Sequence, residues 1–123
     1  MNTNELTELV IGAAVEVHRT LGPGLLESAY ANAMAIELAL RDCKFEQEVP
    51  LMAYYKGRPL GIAYRADLLV EGRLLVEFKA VEALQDVHVA QVLSYLRLCD
   101  KRLGLLINFN QATLLQGVRR VAN

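Results

Sequence analysis

The chain has 123 residues, 54% of them hydrophobic, and 13 Lys and Arg against 14 Asp and Glu give a net charge of −1. That length sets one domain able to bury a sizeable core, and the balanced charge excludes a protein that holds duplex nucleic acid by net charge alone. No run of eighteen uncharged apolar residues is present, so no membrane span is expected, and residues 1–5 have neither the basic nor the apolar stretch of a secretory signal, so a cytoplasmic location is expected.

Residues 4–20 read as an amphipathic helix. Leu6, Leu9, Val10, Ala13 and Val17 recur at helical spacing, and Asn2 or Asn4 can cap its start. His18, near the C-terminal end, has no Ser or Cys nucleophile nearby and reads as structural or exposed. Leu21-Gly22-Pro23-Gly24 breaks this helix, and a second is expected over 23–41, beginning at Pro23. On it Gly24, Glu27 and Tyr30 would lie along one flank. Glu27 among Leu25, Leu26 and Ala29 is either a partnered acid or a first-turn residue favoured by the helix dipole. Cys43 and Cys99 are far apart and read as free, buried thiols, and no Cys/His cluster suggests zinc.

Three strands follow as an antiparallel meander, 45–55, 60–70 and 74–80. Pro50 marks an edge or a bulge in the first. Asp67 interrupts the second strand, and Glu77 and Lys79 the third. Buried charges need partners or a ligand. Alternation puts Glu77 and Lys79 on one face, and a three-residue loop at Glu71-Gly72-Arg73 would set Val70 against Leu74 and Asp67 opposite Glu77. A two-residue loop would separate the carboxylates, so an odd loop is expected, although Gly72 is not at the usual position for one. Two carboxylates and a lysine on one patch fit a Mg²⁺ site with a water-activating base. They equally fit a buried ion pair or a solvated sheet edge.

A helix is expected over 86–99, with Gln91 and Tyr95 four apart on one face, where both can hydrogen-bond to a carboxylate or a phosphate. Residues 103–109 read as a strand buried on both faces, parallel to the Glu77 strand after a right-handed crossover, and residues 113–121 as a final strand. The order is ααβββαββ, an α/β domain with a mixed sheet flanked by helices.

Several stretches together resemble a known family. Gly24-Leu25-Leu26-Glu27-Ser28-Ala29-Tyr30 is similar to the motif that names the GxxExxY proteins. Asp67 followed by Glu77-Phe78-Lys79 resembles the PD-(D/E)xK nuclease pattern, and Gln91 with Tyr95 resembles an accessory motif of several of its branches. Ala66 stands where that pattern has its proline. The resemblance runs from about Glu5 to Val121 and implies a restriction-endonuclease-like core with a four-stranded mixed sheet. It implies a Mg²⁺ site, with Mn²⁺ as a substitute, for phosphodiester hydrolysis. Asp67, Glu77 and the Phe78 carbonyl would hold the metal, and Glu27 would complete or support the site. Lys79 would position or activate the attacking water, and Gln91 and Tyr95 would orient the site or meet the substrate backbone. The implied partner is nucleic acid, DNA foremost, with no membrane role and with a homodimer compatible. Arg65, Lys56, Arg58, Arg97, Lys101, Arg102, Arg119 and Arg120 are candidates for phosphate contacts, none singled out. The competing expectations are a binding or accessory module that keeps the fold without efficient cleavage, and an interaction domain whose charges are buried ion pairs.

Overall fold

Helix α1 (Thr3–Leu21) starts where the Asn2 side chain accepts the Glu5 N–H at 2.8 Å, a cap worth about 1 kcal/mol. The computed structural model describes all residues, Met1–Asn123. After α1 come α2 (Glu27–Leu40), β1 (Phe45–Tyr55), β2 (Arg58–Val70), β3 (Leu74–Lys79), α3 (Asp86–Cys99) and β4 (Leu103–Asn108). A single 3-10 turn (Leu114–Gly117) then leads into β5 (Val118–Ala122). No helix is long and apolar enough to cross a membrane.

The five strands form one sheet in chain order. β1, β2 and β3 run antiparallel, β3 and β4 parallel, and β4 and β5 antiparallel, so β1 is an edge, as Pro50 suggested. The sheet has one strand more than the resemblance implies. Helices α1 and α2 cover one face. Leu6, Val10, Ala13, Val17, Met34 and Leu38 pack there on Leu68, Val70, Val76, Phe78 and Leu105. Helix α3 covers the other face, with Val92 and Leu96 on Leu75, Leu106 and Val121. Helices on both faces explain why β3 and β4 are buried almost throughout and read as apolar runs. Cys43 and Cys99 are free, and burial raises both thiols above their ordinary pKa.

Two expected boundaries move. Helix α2 begins at Glu27, not at Pro23. Gly22 (φ +69°) and Gly24 (φ +103°) hold residues 22–26 in a loop that no helix accommodates. Tyr30 fixes that loop: its hydroxyl donates to the Gly22 carbonyl at 2.6 Å and accepts the Leu25 N–H at 3.1 Å, and its ring stacks on Phe109 at 4.5 Å. Gly24 is therefore not on a helical flank with Glu27 and Tyr30. Instead the tyrosine ties the glycine loop to the core and so fixes where Glu27 emerges. The last strand begins at Val118, not at Thr113, because Thr113 and Gln116 close a capped 3-10 turn that buries Leu114. Gly117 is packed so closely on the Asn108 carbonyl that a side chain there would overlap it.

Asn108 is the polar exception in the apolar β4 strand. It is fully buried. Its Oδ1 accepts the Val81 and Asn110 N–H groups at 3.0 and 3.2 Å, and its Nδ2–H donates to the Val81 carbonyl at 2.9 Å. Asn108 is the parallel neighbour of Lys79. It clamps the chain two residues beyond that lysine and fixes where β3 ends. His18 has a similar structural use, its Nε2–H donating to the Gln111 carbonyl at 2.8 Å.

Candidate active site

The β2–β3 hairpin closes through the expected three-residue loop. Val70 pairs with Leu74, Leu69 with Leu75 and Leu68 with Val76. The turn needs two successive positive φ angles, and Glu71 (φ +53°) supplies the one that glycine does not, with Gly72 (φ +66°) after it. Glu71 accepts this conformation while bound to the neighbouring strand, its N–H donating to the Lys44 carbonyl at 2.9 Å and its carboxylate accepting the Lys44 N–H at 3.1 Å.

Beyond Leu68 and Val76 the two strands part, and Asp67 and Glu77 stand in the fork. The amides that a continued ladder would have paired still need acceptors in a buried place. The carboxylates supply them crosswise. Asp67 N–H donates to Glu77 Oε1 at 2.9 Å, and Phe78 N–H donates to Asp67 Oδ2 at 2.8 Å. Glu77 Oε2 accepts the Tyr64 hydroxyl at 3.0 Å, and the Tyr64 ring stacks on Tyr95 of α3 with centroids 4.0 Å apart. Asp67 Oδ1 accepts no hydrogen bond, and no buried polar side-chain atom lacks a partner, so this oxygen is accessible to solvent. A strand residue presents its N–H and C=O to the same neighbour, so the Phe78 carbonyl also faces the fork.

The electrostatics are those of negative charge without compensation. Glu77 is 1% exposed, and burial, then the Asp67 charge, push its pKa from 4.5 up to about 8. Burial likewise raises Asp67, aided by the charges of Glu48 and Glu27. Burial and Glu77 raise both Tyr64 and Tyr95, keeping the two phenols protonated as donors. Lys79 is half-buried and lies close enough for its charge to favour both carboxylates, yet it forms no ion pair. The chain's two salt bridges are Arg19–Glu16 and Arg41–Glu37, both on helices. The buried Asp/Glu–Lys ion pair is therefore not what these charges form.

Over residues 4–121 the chain matches the family model described as the PD-(D/E)XK nuclease superfamily. It belongs to that superfamily. No curated protein and no solved structure matches it.

The α/β order and mixed sheet agree with the superfamily. Of the other candidates, Tyr95 is in the site through its stack on Tyr64. Gln91, one helical turn before it, is partly buried and free of hydrogen bonds. Glu27 is exposed at the first position of α2, bonded to nothing, and acts on Asp67 through its charge alone. Two residues went unnoticed in the sequence. Tyr64 lies thirteen positions before the carboxylate it holds, and no spacing rule joins them. Glu48 lies across β1 from Asp67, since Gln47 pairs with Leu68 and Val49 with Ala66, and it adopts φ +51° within a strand. That left-handed residue marks a turn-over of the hairpin: Leu68 and Val70 pack under α1 and α2, whereas Ala66 and Leu51 join the core under α3.

The donor set suits a PD-(D/E)XK metal in one particular form. No point gathers three His, Cys, Asp or Glu side chains that could hold a metal. Two carboxylates and a carbonyl suit Mg²⁺, which keeps several of its waters. Two acids with raised pKa values, each accepting an amide of the other's strand at 2.8–2.9 Å, are the groups a cation would relieve. No surface depression is lined by Asp67, Glu77 or Lys79. The larger surface depressions, about 310 Å³ each, lie elsewhere, one along Lys44–Glu46 and Glu71, the other between α1 and the 3-10 turn.

Tyr64→Phe is expected to keep the stack on Tyr95 and remove only the hydrogen bond to Glu77. The metal-free protein should lose about 1 kcal/mol, measured by urea unfolding, because the buried Oε2 loses its donor. An unchanged unfolding midpoint would mean that water replaces the phenol.

Proposed function

We propose that the chain is a Mg²⁺-dependent nuclease that hydrolyses phosphodiester bonds in nucleic acid, DNA foremost. The observation that carries this reading is the Asp67–Glu77 fork: two carboxylates with raised pKa values converge beside Lys79, and no protein cation pairs with either. Asp67, Glu77 and the Phe78 carbonyl would hold the cation. When bound, Mg²⁺ would supply Lewis acidity to the phosphoryl oxygen and lower the pKa of a bound water. Lys79, on the same strand face as Glu77, would orient that water or take its proton. Tyr64 and Tyr95 would brace Glu77, Gln91 would meet the substrate backbone, and Glu27 and Glu48 would add negative charge that strengthens cation binding. One chain supplies every group, so the reading needs no second copy.

A second reading, a binding module without efficient cleavage, has one observation in its favour. Three of the four carboxylate oxygens already accept hydrogen bonds from the protein, which gives the acids a structural use. Thermal melts with and without millimolar Mg²⁺, on the wild type and on Asp67→Ala, test for the site. The wild type should gain roughly 5 °C at ten times the dissociation constant, and the variant nothing. Equal responses from the two proteins would remove the metal site. A metal response without cleavage of DNA or RNA would favour the binding module.

A further inference from the structure

The β1–β2 hairpin runs on after the rest of the sheet has ended. β3 pairs with β2 only over Leu68–Val70, so residues 49–66 continue as a two-stranded ribbon to the turn at Lys56 and Gly57. From Asp67 to Arg58 this is about 30 Å at roughly 3.3 Å per residue. Its base is supported: Leu51 and Ala66 are buried under α3, and Tyr64 stacks on Tyr95. Its outer part is not, and Tyr54, Tyr55 and Leu60 are each more than 60% exposed.

The ribbon's charge is one-sided. Between Glu48 and Asp67 the chain has no acid and three bases, Lys56, Arg58 and Arg65, in a protein whose net charge is −1. All three are exposed and none is in an ion pair. Arg65 precedes Asp67 by two residues on β2. This acid-free basic stretch adjoins the fork through β2, whereas the other one in the chain, with Lys101, Arg102, Arg119 and Arg120, lies at the start of β4 and on β5.

We propose that this ribbon grips double-stranded DNA, lying in the major groove with Lys56, Arg58 and Arg65 on backbone phosphates, and guides the duplex to Asp67 and Glu77. The proposal rests on the nuclease reading and adds the element that holds the substrate and the form of that substrate. The B-form major groove admits a two-stranded ribbon and presents thymine methyl groups to apolar side chains, whereas the major groove of duplex RNA is too deep and narrow. A second copy of the chain fits the ribbon worse, because a symmetric pairing would set these three cations against their own equivalents.

The test is fluorescence anisotropy of the full chain in EDTA, so that nothing is cut. It uses a 20-base-pair DNA duplex and an RNA duplex of the same sequence over a salt series. The wild type should bind the DNA at least about tenfold more tightly than the RNA. Lys56→Ala/Arg58→Ala, on an exposed turn, should weaken DNA binding by about 10–100-fold and make the salt slope shallower by about 2. Arg65→Ala should weaken it by a smaller factor, and all variants should keep the wild-type melting response to Mg²⁺. Equal affinity of the wild type and the double variant for DNA, or equal binding of both duplexes, overturns the proposal. So does a dimer by light scattering that the double variant dissolves without loss of DNA affinity. A chain that grips DNA through the ribbon but shows no response to Mg²⁺ would sink the nuclease reading and leave the grip standing.

Discussion

Glu77→Gln is expected to make the metal-free protein more stable at pH 8, by on the order of 2 kcal/mol or roughly 5–10 °C, while abolishing both cleavage and the melting response to Mg²⁺. The gain follows from the position of the wild-type carboxyl. It is 1% exposed, beside Asp67, and burial holds its pKa at about 8 instead of 4.5. An acid whose pKa is raised on folding holds its proton more tightly folded than unfolded. Its favourable contribution is complete below about pH 4.5 and is lost as pH rises through about 8, at up to about 1.4 kcal/mol per pH unit. Metal-free wild type should therefore melt progressively lower across that window. Glutamine has nothing to ionise. Its carbonyl oxygen can still accept the Asp67 N–H, and its amide can donate to the Tyr64 hydroxyl. A cation favours the ionised carboxylates, so the Mg²⁺-induced rise in the wild type should grow with pH over the same range. Melts at pH 5, 6.5 and 8, with and without Mg²⁺, give all these quantities. A variant less stable than the wild type at pH 8 would mean that the ionised acid contributes to the fold, as the interaction-domain expectation requires.

The second large effect separates the function of Lys79 from any structural use. Lys79→Met should reduce cleavage of a DNA substrate by about 10²–10⁴-fold, the range of a general acid or base, and leave the melting temperature within a few degrees of the wild type. The side chain is half-buried and in no ion pair, and the hydrogen bond at this position, from the Phe109 N–H at 2.9 Å, is to its backbone carbonyl. Were Lys79 a structural counter-ion, its removal would leave two buried charges unpaired at a cost of about 3–5 kcal/mol. Steady-state cleavage and urea unfolding of one preparation decide the matter. Retained cleavage with a large loss of stability would reverse the assignment.

The unlike fates of Gly24 and Tyr30 show what residue spacing conveys. The motif they share with Glu27 is legible as a pattern, and helical spacing then places all three on one flank. The chain instead leaves the helix unformed until Glu27, because Gly22 and Gly24 sit at positive φ and Tyr30 secures the loop at Gly22 and Leu25, eight and five residues before it. Spacing identified the residues but not the use of the tyrosine. Its hydroxyl finds its partners only after the loop has folded back.

The amino-acid sequence by itself determined the element order, the two carboxylates and the lysine, and through the odd loop at Glu71–Arg73 the opposition of Asp67 to Glu77. These follow from local rules: the period of a strand, the period of a helix and the residue count of a turn. Only the tertiary structure decided that the strands part at Asp67, that each carboxylate takes the other strand's amide, and that Tyr64, Glu48 and Asn108 frame the site. The reason is that a buried amide or carboxylate must be satisfied by whichever group folding brings to it. Burial, which also sets the charge state of Glu77, depends on α3 and β4, elements that no local pattern in the hairpin encodes.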